Sequence, residues 1–146
     1  MTMRGAVIVR SHDLVVKETP IPEIGPGDVL VKVKACGVCK TDIHIYEGTF
    51  PAALPLIPGH EFSGEVAAVG PGVEGIDVGD KVIVDPNVSC GKCYYCRTAR
   101  RHFCANWEGM GLTMDGAYAE YVRAPASVVY EMPDGMSFEE GAFTEP

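Results

Sequence analysis

The chain has 146 residues, the usual size of one domain, and a domain of that size can bury a core without disulfides. Its 12 basic and 20 acidic side chains give a net charge of −8, which argues against a nucleic-acid partner because phosphate binding depends on clustered lysine and arginine. No apolar run reaches membrane-spanning length, and residues 1–10 lack the apolar core of a signal peptide, so we predict no membrane partner and a cytoplasmic location.

Glycines and prolines divide the chain into short β-branched segments, which predicts a mainly β fold, either a barrel or a sandwich. The predicted strands are, in chain order, residues 6–9, 14–17, 29–35, 65–69, 81–84, 118–123 and 127–130. Short helices are predicted at 41–47, within 92–100 and at 137–144. The last of these begins with Ser137 and Glu140 at the spacing of a capping box.

Four of the six cysteines lie close together in the sequence. Cys90, Cys93 and Cys96 recur every third residue, and Cys104 follows after seven more. In a reducing compartment such a group indicates metal binding more than disulfides. Four sulfur ligands fill the tetrahedral shell of Zn²⁺ and leave no position for chemistry, so we predict a structural zinc site. His102 is an alternative to Cys104 as the fourth ligand.

A second group of reactive side chains lies upstream. Residues 36–44 contain two thiols together with Thr41, Asp42 and His44, and the sequence Gly59-His60-Glu61 follows just before a predicted strand. These two motifs and the four-cysteine segment, in this order, resemble the zinc-dependent alcohol dehydrogenases of the medium-chain dehydrogenase/reductase superfamily. The resemblance covers essentially the whole chain. It implies the N-terminal GroES-like catalytic domain, a partly open β-barrel with a zinc-binding lobe at about 86–108.

The resemblance also implies a catalytic zinc ion with Cys39 and His60 as ligands. Many members use a further cysteine as the third ligand, but no cysteine follows Cys104 in this chain. Residues 141–146 look like the segment in which polyol and threonine dehydrogenases carry a glutamate, so Glu145 is the first choice for the third ligand. Glu61 is the alternative. Either set leaves one zinc position open, as catalysis requires.

Through the resemblance, each neighbouring residue has an expected role. An alcohol or polyol would form a zinc-bound alkoxide and pass a hydride to NAD or NADP, yielding a ketone from a secondary alcohol. Thr41 would hydrogen-bond the alkoxide oxygen, and His44 would release the proton to solvent. Asp42 would orient the His60 ring, and Lys40 would contact the cofactor pyrophosphate. The full-length enzyme is expected to be a homo-oligomer, a dimer or a tetramer.

Simpler interpretations remain open for several of these residues. His44 and Lys40 could be ordinary solvated side chains, Asp42 a helix-start charge, and Glu145 a carboxylate at a helix end. Cys36 and Cys39 have the spacing of a redox pair, but no thioredoxin-like pattern surrounds them, and Cys36 is interpreted as a packed core residue.

The segment Gly70–Gly75 matches the dinucleotide fingerprint G-x-G-x-x-G. Pro71 stiffens it and no helix follows it, so we predict a turn between strands instead. No other segment could build a Rossmann fold. We therefore expect the chain to be the catalytic part of a longer enzyme, cut short after Pro146 and inactive without a cofactor domain.

Two other classes of protein fit part of the sequence. A zinc-stabilised, non-catalytic binding module with a GroES-like fold would explain the four cysteines and the strands, but not the group around Cys39 and His60. A zinc hydrolase would use Glu61 or Glu145 as the base that activates water. Two zinc ions per chain favour the dehydrogenase, and one favours the module.

Overall fold

The computed structural model describes residues 1–146 and confirms a mainly β fold with three short helices. Three antiparallel sheets make up the domain. The first pairs β1 with β2, the second has the order β8-β3-β4-β5-β9, and the third pairs β6 with β7. The strands are β1 Thr2–Arg10, β2 Asp13–Pro20, β3 Asp28–Cys36, β4 Phe62–Val69, β5 Lys81–Val84, β6 Asn87–Val88, β7 Glu108–Gly109, β8 Tyr121–Pro125 and β9 Val129–Glu131. The sheets are open and do not close into a complete barrel.

The helices are α1 Lys40–Glu47, α2 Tyr94–Arg97 and α3 Phe138–Ala142, with single 3₁₀ turns at Arg101–Phe103 and Ala126–Val128. The predicted capping box of α3 is present, because the Ser137 and Glu140 side chains each accept a hydrogen bond from the other's backbone N–H. None of the helices has both the length and the apolar character needed to cross a membrane.

The main core lies on one face of the five-stranded sheet. Alternate residues of its strands point inward, as the twofold period of a strand requires, and the buried apolar residues of β3 and β4 include Val29, Val31, Phe62 and Val66. Burying a side chain of this size contributes roughly 1.5–3 kcal/mol. These inward-facing side chains form the main core of the domain.

A smaller apolar cluster fixes α1 against the sheets. Ile45 of α1 is 1% exposed and packs with Ile8 and Leu56. The helix begins at the N-cap residue Cys39, whose sulfur accepts a hydrogen bond from the Thr41 N–H. It ends at Gly48, which adopts a left-handed conformation with φ of 75°. Packing and capping together hold the start of α1, where the predicted catalytic residues lie.

The segment Gly70–Gly75 connects β4 to β5 through turns and contains no helix. The Gly70 N–H donates to the Asp28 carbonyl, so the connection folds back on the start of β3. The prediction of a turn between strands, with no helix after it, is confirmed. Every strand ladder in the domain is antiparallel, whereas a Rossmann fold needs parallel strands.

Candidate metal centres

The four downstream cysteines form one compact group. The sulfur atoms of Cys90, Cys93, Cys96 and Cys104 all lie within 4.8 Å of one another, with individual separations of 3.5 and 4.0 Å between neighbours. A tetrahedron of four zinc–sulfur bonds of about 2.3 Å has sulfur–sulfur edges of about 3.8 Å. All six cysteines of the chain are free thiols. The arrangement of this group, hereafter the cysteine lobe, therefore fits a four-coordinate zinc ion.

The surroundings of Cys90 and Cys93 favour thiolates, whereas those of Cys96 do not. Backbone N–H groups of Lys92 and Cys93 lower the pKa of Cys90 to about 6, and backbone N–H groups of Cys96 and Ala105 lower the pKa of Cys93. Burial, followed by the neighbouring thiols, raises the pKa of Cys96 to about 11. Residues 91–105 also carry four exposed cations and no acidic residue: Lys92, Arg97, Arg100 and Arg101. These cations offset the negative charge that four thiolates would bring.

The structure brings together a second group with mixed ligand chemistry. One ligand atom each from Cys39, His60 and Glu61 lies within 4.8 Å of the other two. His60 and Glu61 immediately precede β4, and the Gly37 N–H donates to the Glu61 carbonyl at 2.7 Å, which ties the end of β3 to them. This S, N, O set, hereafter the mixed-ligand site, suits zinc and supplies only three protein ligands.

Asp42 connects the elements that build the mixed-ligand site. Its Oδ2 accepts hydrogen bonds from the Cys39 N–H and the Tyr118 hydroxyl, each at 2.9 Å, and its Oδ1 accepts one from the Gly59 N–H at 3.2 Å. His60 Nδ1 lies 3.5 Å from Oδ1 and is buried without a well-formed hydrogen bond. Because Nδ1 faces Asp42, Nε2 is the nitrogen left to bind a metal.

The charges within this group reinforce one another. The Asp42 side chain raises the pKa of His60 to about 9 against the opposing effect of burial. Burial alone would raise the pKa of Asp42, but His60, the Cys39 N–H and Tyr118 together hold it below its usual value. Hydrogen bonds from Thr41 lower the pKa of Cys39. Both Asp42 and Cys39 are thus biased toward their anionic forms, and an anionic Cys39 is the form that binds a metal.

The remaining predicted residues lie along α1. Thr41 Oγ1 is 3.5 Å from the Cys39 sulfur, and His44, three residues further along, is on the same helix face. His44 is partly exposed and its Nδ1 lies 3.7 Å from Glu47. Lys40 is the first residue of α1 and is exposed. Asp42 occupies the third helical position and is 5% exposed, so it is a helix-start charge and a neighbour of His60 at once.

Glu145 lies after α3 and outside the group of three ligand atoms. Its carboxylate is nevertheless in the neighbourhood of the site. Partial burial raises its pKa, His60 opposes that effect, and Asp85 and Glu61 add to it. Cys36 also belongs to neither metal group. It packs against the main core, and burial, followed by Asp42, raises its pKa to about 12, which argues against a redox role.

Tyr118 was not identified from the sequence. It lies 76 residues after Asp42, and its hydroxyl also approaches the Gly37 carbonyl at 3.0 Å. Gly59 has φ of 92°, and a Cβ atom there would lie 2.5 Å from the Tyr118 ring. Only glycine therefore fits between Tyr118 and His60. The glycine of Gly59-His60-Glu61 is a signal for such a close approach, but it does not reveal the approaching residue.

Comparison with known proteins agrees with this geometry. The family described as the alcohol dehydrogenase GroES-like domain matches residues 25–134. An alcohol dehydrogenase of Geobacillus stearothermophilus is 46% identical over 144 residues, which are 96% of this chain and 43% of the relative. The L-threonine 3-dehydrogenase of Pyrococcus abyssi is 47% identical over 133 residues, 88% of this chain and 38% of the relative.

A solved structure extends the comparison to the fold. A Sinorhizobium meliloti 1021 protein assigned as a zinc-binding dehydrogenase, in complex with NADP, superposes with a TM-score of 0.93 at 40% identity, over 98% of this chain and 42% of that one. The chain therefore belongs to the zinc-dependent alcohol dehydrogenase family, as its GroES-like domain. It spans about two fifths of the length of these relatives.

Proposed function

We propose that residues 1–146 are the catalytic domain of a zinc-dependent, NAD(P)-linked dehydrogenase that oxidises a secondary alcohol or polyol to a ketone. One observation carries the proposal: the chain holds two ligand groups of different chemistry. The cysteine lobe has four sulfur atoms and is complete, whereas the mixed-ligand site has one sulfur, one nitrogen and one oxygen donor and leaves room for a further ligand. A binding module would need only the first group.

The protein's own residues define what the mixed-ligand site would do. Cys39, His60 and Glu61 would hold the zinc ion, and Glu145, whose pKa responds to His60 and Glu61, is the alternative carboxylate ligand. When bound, zinc acts as a Lewis acid that lowers the pKa of a substrate hydroxyl. Asp42 would keep the His60 ring oriented with Nε2 toward the metal.

Proton movement would follow one face of α1. Thr41 Oγ1 lies 3.5 Å from the Cys39 sulfur. It would accept a hydrogen bond from a substrate hydroxyl placed beside the metal and pass on its own hydroxyl proton as the substrate proton arrives. His44 follows on the same face, is partly exposed, and would exchange that proton with solvent. The exposed Lys40 at the start of the helix would contact the cofactor pyrophosphate. A nucleotide-binding unit has to come from outside these residues, since their strand ladders are all antiparallel.

The names of the relatives support an alcohol substrate without fixing it. One relative is an alcohol dehydrogenase and another an L-threonine 3-dehydrogenase, and both react at a hydroxyl-bearing carbon. We also place the protein in the cytoplasm, because both metal groups depend on reduced thiols.

The first test is the zinc content of matched cysteine variants. The wild-type chain, loaded with zinc, should hold two equivalents, and Cys39→Ser and Cys93→Ser should each hold one. Cys36→Ser is the matched control, because Cys36 is the one cysteine outside both groups, and it should keep two. A wild-type chain that holds a single zinc ion would favour the binding module.

The second test addresses the reaction. A chimera in which this chain replaces the aligned segment of the Geobacillus stearothermophilus alcohol dehydrogenase should reduce NAD or NADP in the presence of an alcohol. Cys39→Ser in the chimera should abolish that activity, whereas Cys36→Ser should retain it. A folded chimera with two zinc ions and no activity toward any alcohol would contradict the proposal.

A further inference from the structure

We propose that Tyr118 is a positioning residue for the mixed-ligand site: through Asp42 it fixes the His60 ring in the orientation that binds metal. This inference rests on the proposed function. Tyr118 contacts both chain segments that supply the ligands. Its hydroxyl contacts Asp42 and the Gly37 carbonyl, which lie on either side of Cys39. Its backbone N–H donates to the Pro58 carbonyl at 2.9 Å, two residues before His60.

The orientation of the Asp42 carboxylate decides where the His60 ring points. Oδ2 is anchored by the Cys39 N–H and the Tyr118 hydroxyl, and Oδ1 faces the Gly59 N–H and His60 Nδ1. The separation of 3.5 Å between Oδ1 and Nδ1 is too long for a strong hydrogen bond, so a small rotation of the carboxylate breaks or completes this contact. Tyr118 is the only side-chain hydroxyl among these anchors.

The Tyr118 hydroxyl has one proton and two nearby acceptors, Asp42 Oδ2 at 2.9 Å and the Gly37 carbonyl at 3.0 Å. A hydrogen bond to an ionised carboxylate is the stronger of the two, so the proton goes to Asp42. Burial, together with the adjacent Asp42 charge, raises the pKa of Tyr118, and the hydroxyl therefore stays protonated and remains a donor.

The position of the hydroxyl is restricted by the contact between the Tyr118 ring and the loop before His60. The ring lies against the Cα atom of Gly59, and the Ala117 N–H donates to the Gly59 carbonyl at 2.8 Å. Tyr118 is thus held by the loop that carries His60. Its hydroxyl in turn holds Asp42, which accepts a hydrogen bond from Gly59 of the same loop.

The test compares zinc dissociation constants for the mixed-ligand site, measured against a chromophoric chelator. Tyr118→Phe keeps the ring and removes only the hydroxyl, and it should weaken zinc binding at this site about tenfold, the low end of the usual cost of losing such a contact. The cysteine lobe should be unaffected. Tyr121→Phe is the matched control, because Tyr121 packs against the apolar cluster of Met3, Val7 and Ile57, and it should bind zinc as the wild type does.

A double-mutant comparison shows whether Tyr118 acts through Asp42. In an Asp42→Asn background, Tyr118→Phe should cause no further loss, since the partner that it orients has already changed. Unaltered zinc binding in Tyr118→Phe would overturn the proposal, and so would an equal additional loss in the Asp42→Asn background.

A second measurement on the metal-free chain separates this proposal from the proposed function. The Gly59 and Cys39 N–H groups both donate to Asp42, so Tyr118→Phe should speed their hydrogen exchange at least about threefold while exchange in the main sheet stays the same. If the wild type binds no second zinc ion, the proposed function fails and this exchange decides the role of Tyr118. Unchanged hydrogen exchange at the Gly59 and Cys39 amides would then overturn the proposed role of Tyr118.

Discussion

The carboxylate of Glu61 lies directly over the Cα atom of Gly37, in the space that a Cβ atom at position 37 would need. The Gly37 N–H also donates to the Glu61 carbonyl, so backbone and side chain of Glu61 are both placed against the same glycine. Because of this contact, the Glu61 carboxylate reaches the sulfur of Cys39 and the ring of His60. We therefore propose Glu61 as the third ligand in place of Glu145, which follows α3 and lies outside this group of ligand atoms.

The third ligand can be identified with a matched pair of substitutions. Glu61→Gln should weaken zinc binding at the mixed-ligand site by at least about tenfold, because it replaces a charged ligand with a neutral amide. Glu145→Gln removes the same charge from a carboxylate outside the ligand group and should change binding less than about twofold. Chelator competition on both variants measures the difference, and the opposite ranking would make Glu145 the third ligand.

The two zinc ions should differ in how readily they are removed. The cysteine lobe supplies four sulfur ligands from residues 90–104, whereas the mixed-ligand site supplies three ligands and gains a fourth only from water or substrate. Graded chelation of the zinc-loaded chain should therefore release the zinc of the mixed-ligand site first and leave close to one equivalent.

Metal analysis of Cys93→Ser and Cys39→Ser under the same chelation shows which site releases its zinc ion first. The zinc retained by Cys93→Ser should leave at the lower chelator concentration. Simultaneous release of both ions from the wild-type chain would show that the two sites have similar affinities.

Alanine substitutions at two glycines can distinguish the cost of backbone strain from the cost of a steric clash. Gly59 and Gly72 both have positive φ, 92° and 80°, but only at Gly59 would a Cβ atom meet a neighbour, the Tyr118 ring. Gly72→Ala should lower the free energy of unfolding by about 1–2 kcal/mol through its left-handed backbone alone. Gly59→Ala should cost roughly 1–3 kcal/mol more, because the ring has to move. Denaturant unfolding measures both, and equal losses would refute the close approach.

The capping box of α3 makes stability depend on pH. The Ser137 N–H and hydroxyl each donate to the Glu140 carboxylate at 2.9 Å and lower its pKa. Because the folded pKa lies below the unfolded one, the carboxylate stabilises the fold fully above the unfolded pKa, and this contribution is lost as pH falls through the folded pKa. The difference in unfolding free energy between wild type and Glu140→Gln should therefore be largest near pH 7 and shrink below the usual carboxyl pKa of about 4.3.

Glu139→Gln is the control for this pH dependence. It removes an equal charge from the first turn of the same helix, but Glu139 makes no capping hydrogen bond. The difference in unfolding free energy between Glu139→Gln and the wild type should be smaller than that for Glu140→Gln at every pH. A Glu140→Gln difference that stays constant between pH 7 and pH 3 would contradict the assignment.

Local patterns in the sequence were sufficient for most of the fold. All seven predicted strands are present, because alternation of apolar residues and flanking turn residues are local signals. The segment predicted at 118–123 pairs as a regular strand only from Tyr121, since Tyr118 is drawn to the Pro58 carbonyl instead. α2 is limited to Tyr94–Arg97, because the chain around it turns to gather the four cysteines.

The candidate site was predictable only where its residues are close in sequence. The cysteine spacing and the group from Cys39 to His44 are of this kind. The contact between Asp42 and Tyr118 spans 76 residues, and the placement of Glu61 depends on how β3 and β4 pair. Contacts of this range follow from the register of the sheet, which a local pattern does not specify.

The sulfur of Cys39 caps α1 as well as facing His60, and this double use restricts what could replace it. Helix caps favour serine, threonine, asparagine and aspartate, whereas zinc is bound by cysteine, histidine, aspartate and glutamate. Aspartate is the one residue common to both sets. Position 39 is therefore a place where evolution could exchange a soft metal ligand for a hard one in a single replacement and still start the helix at the same residue.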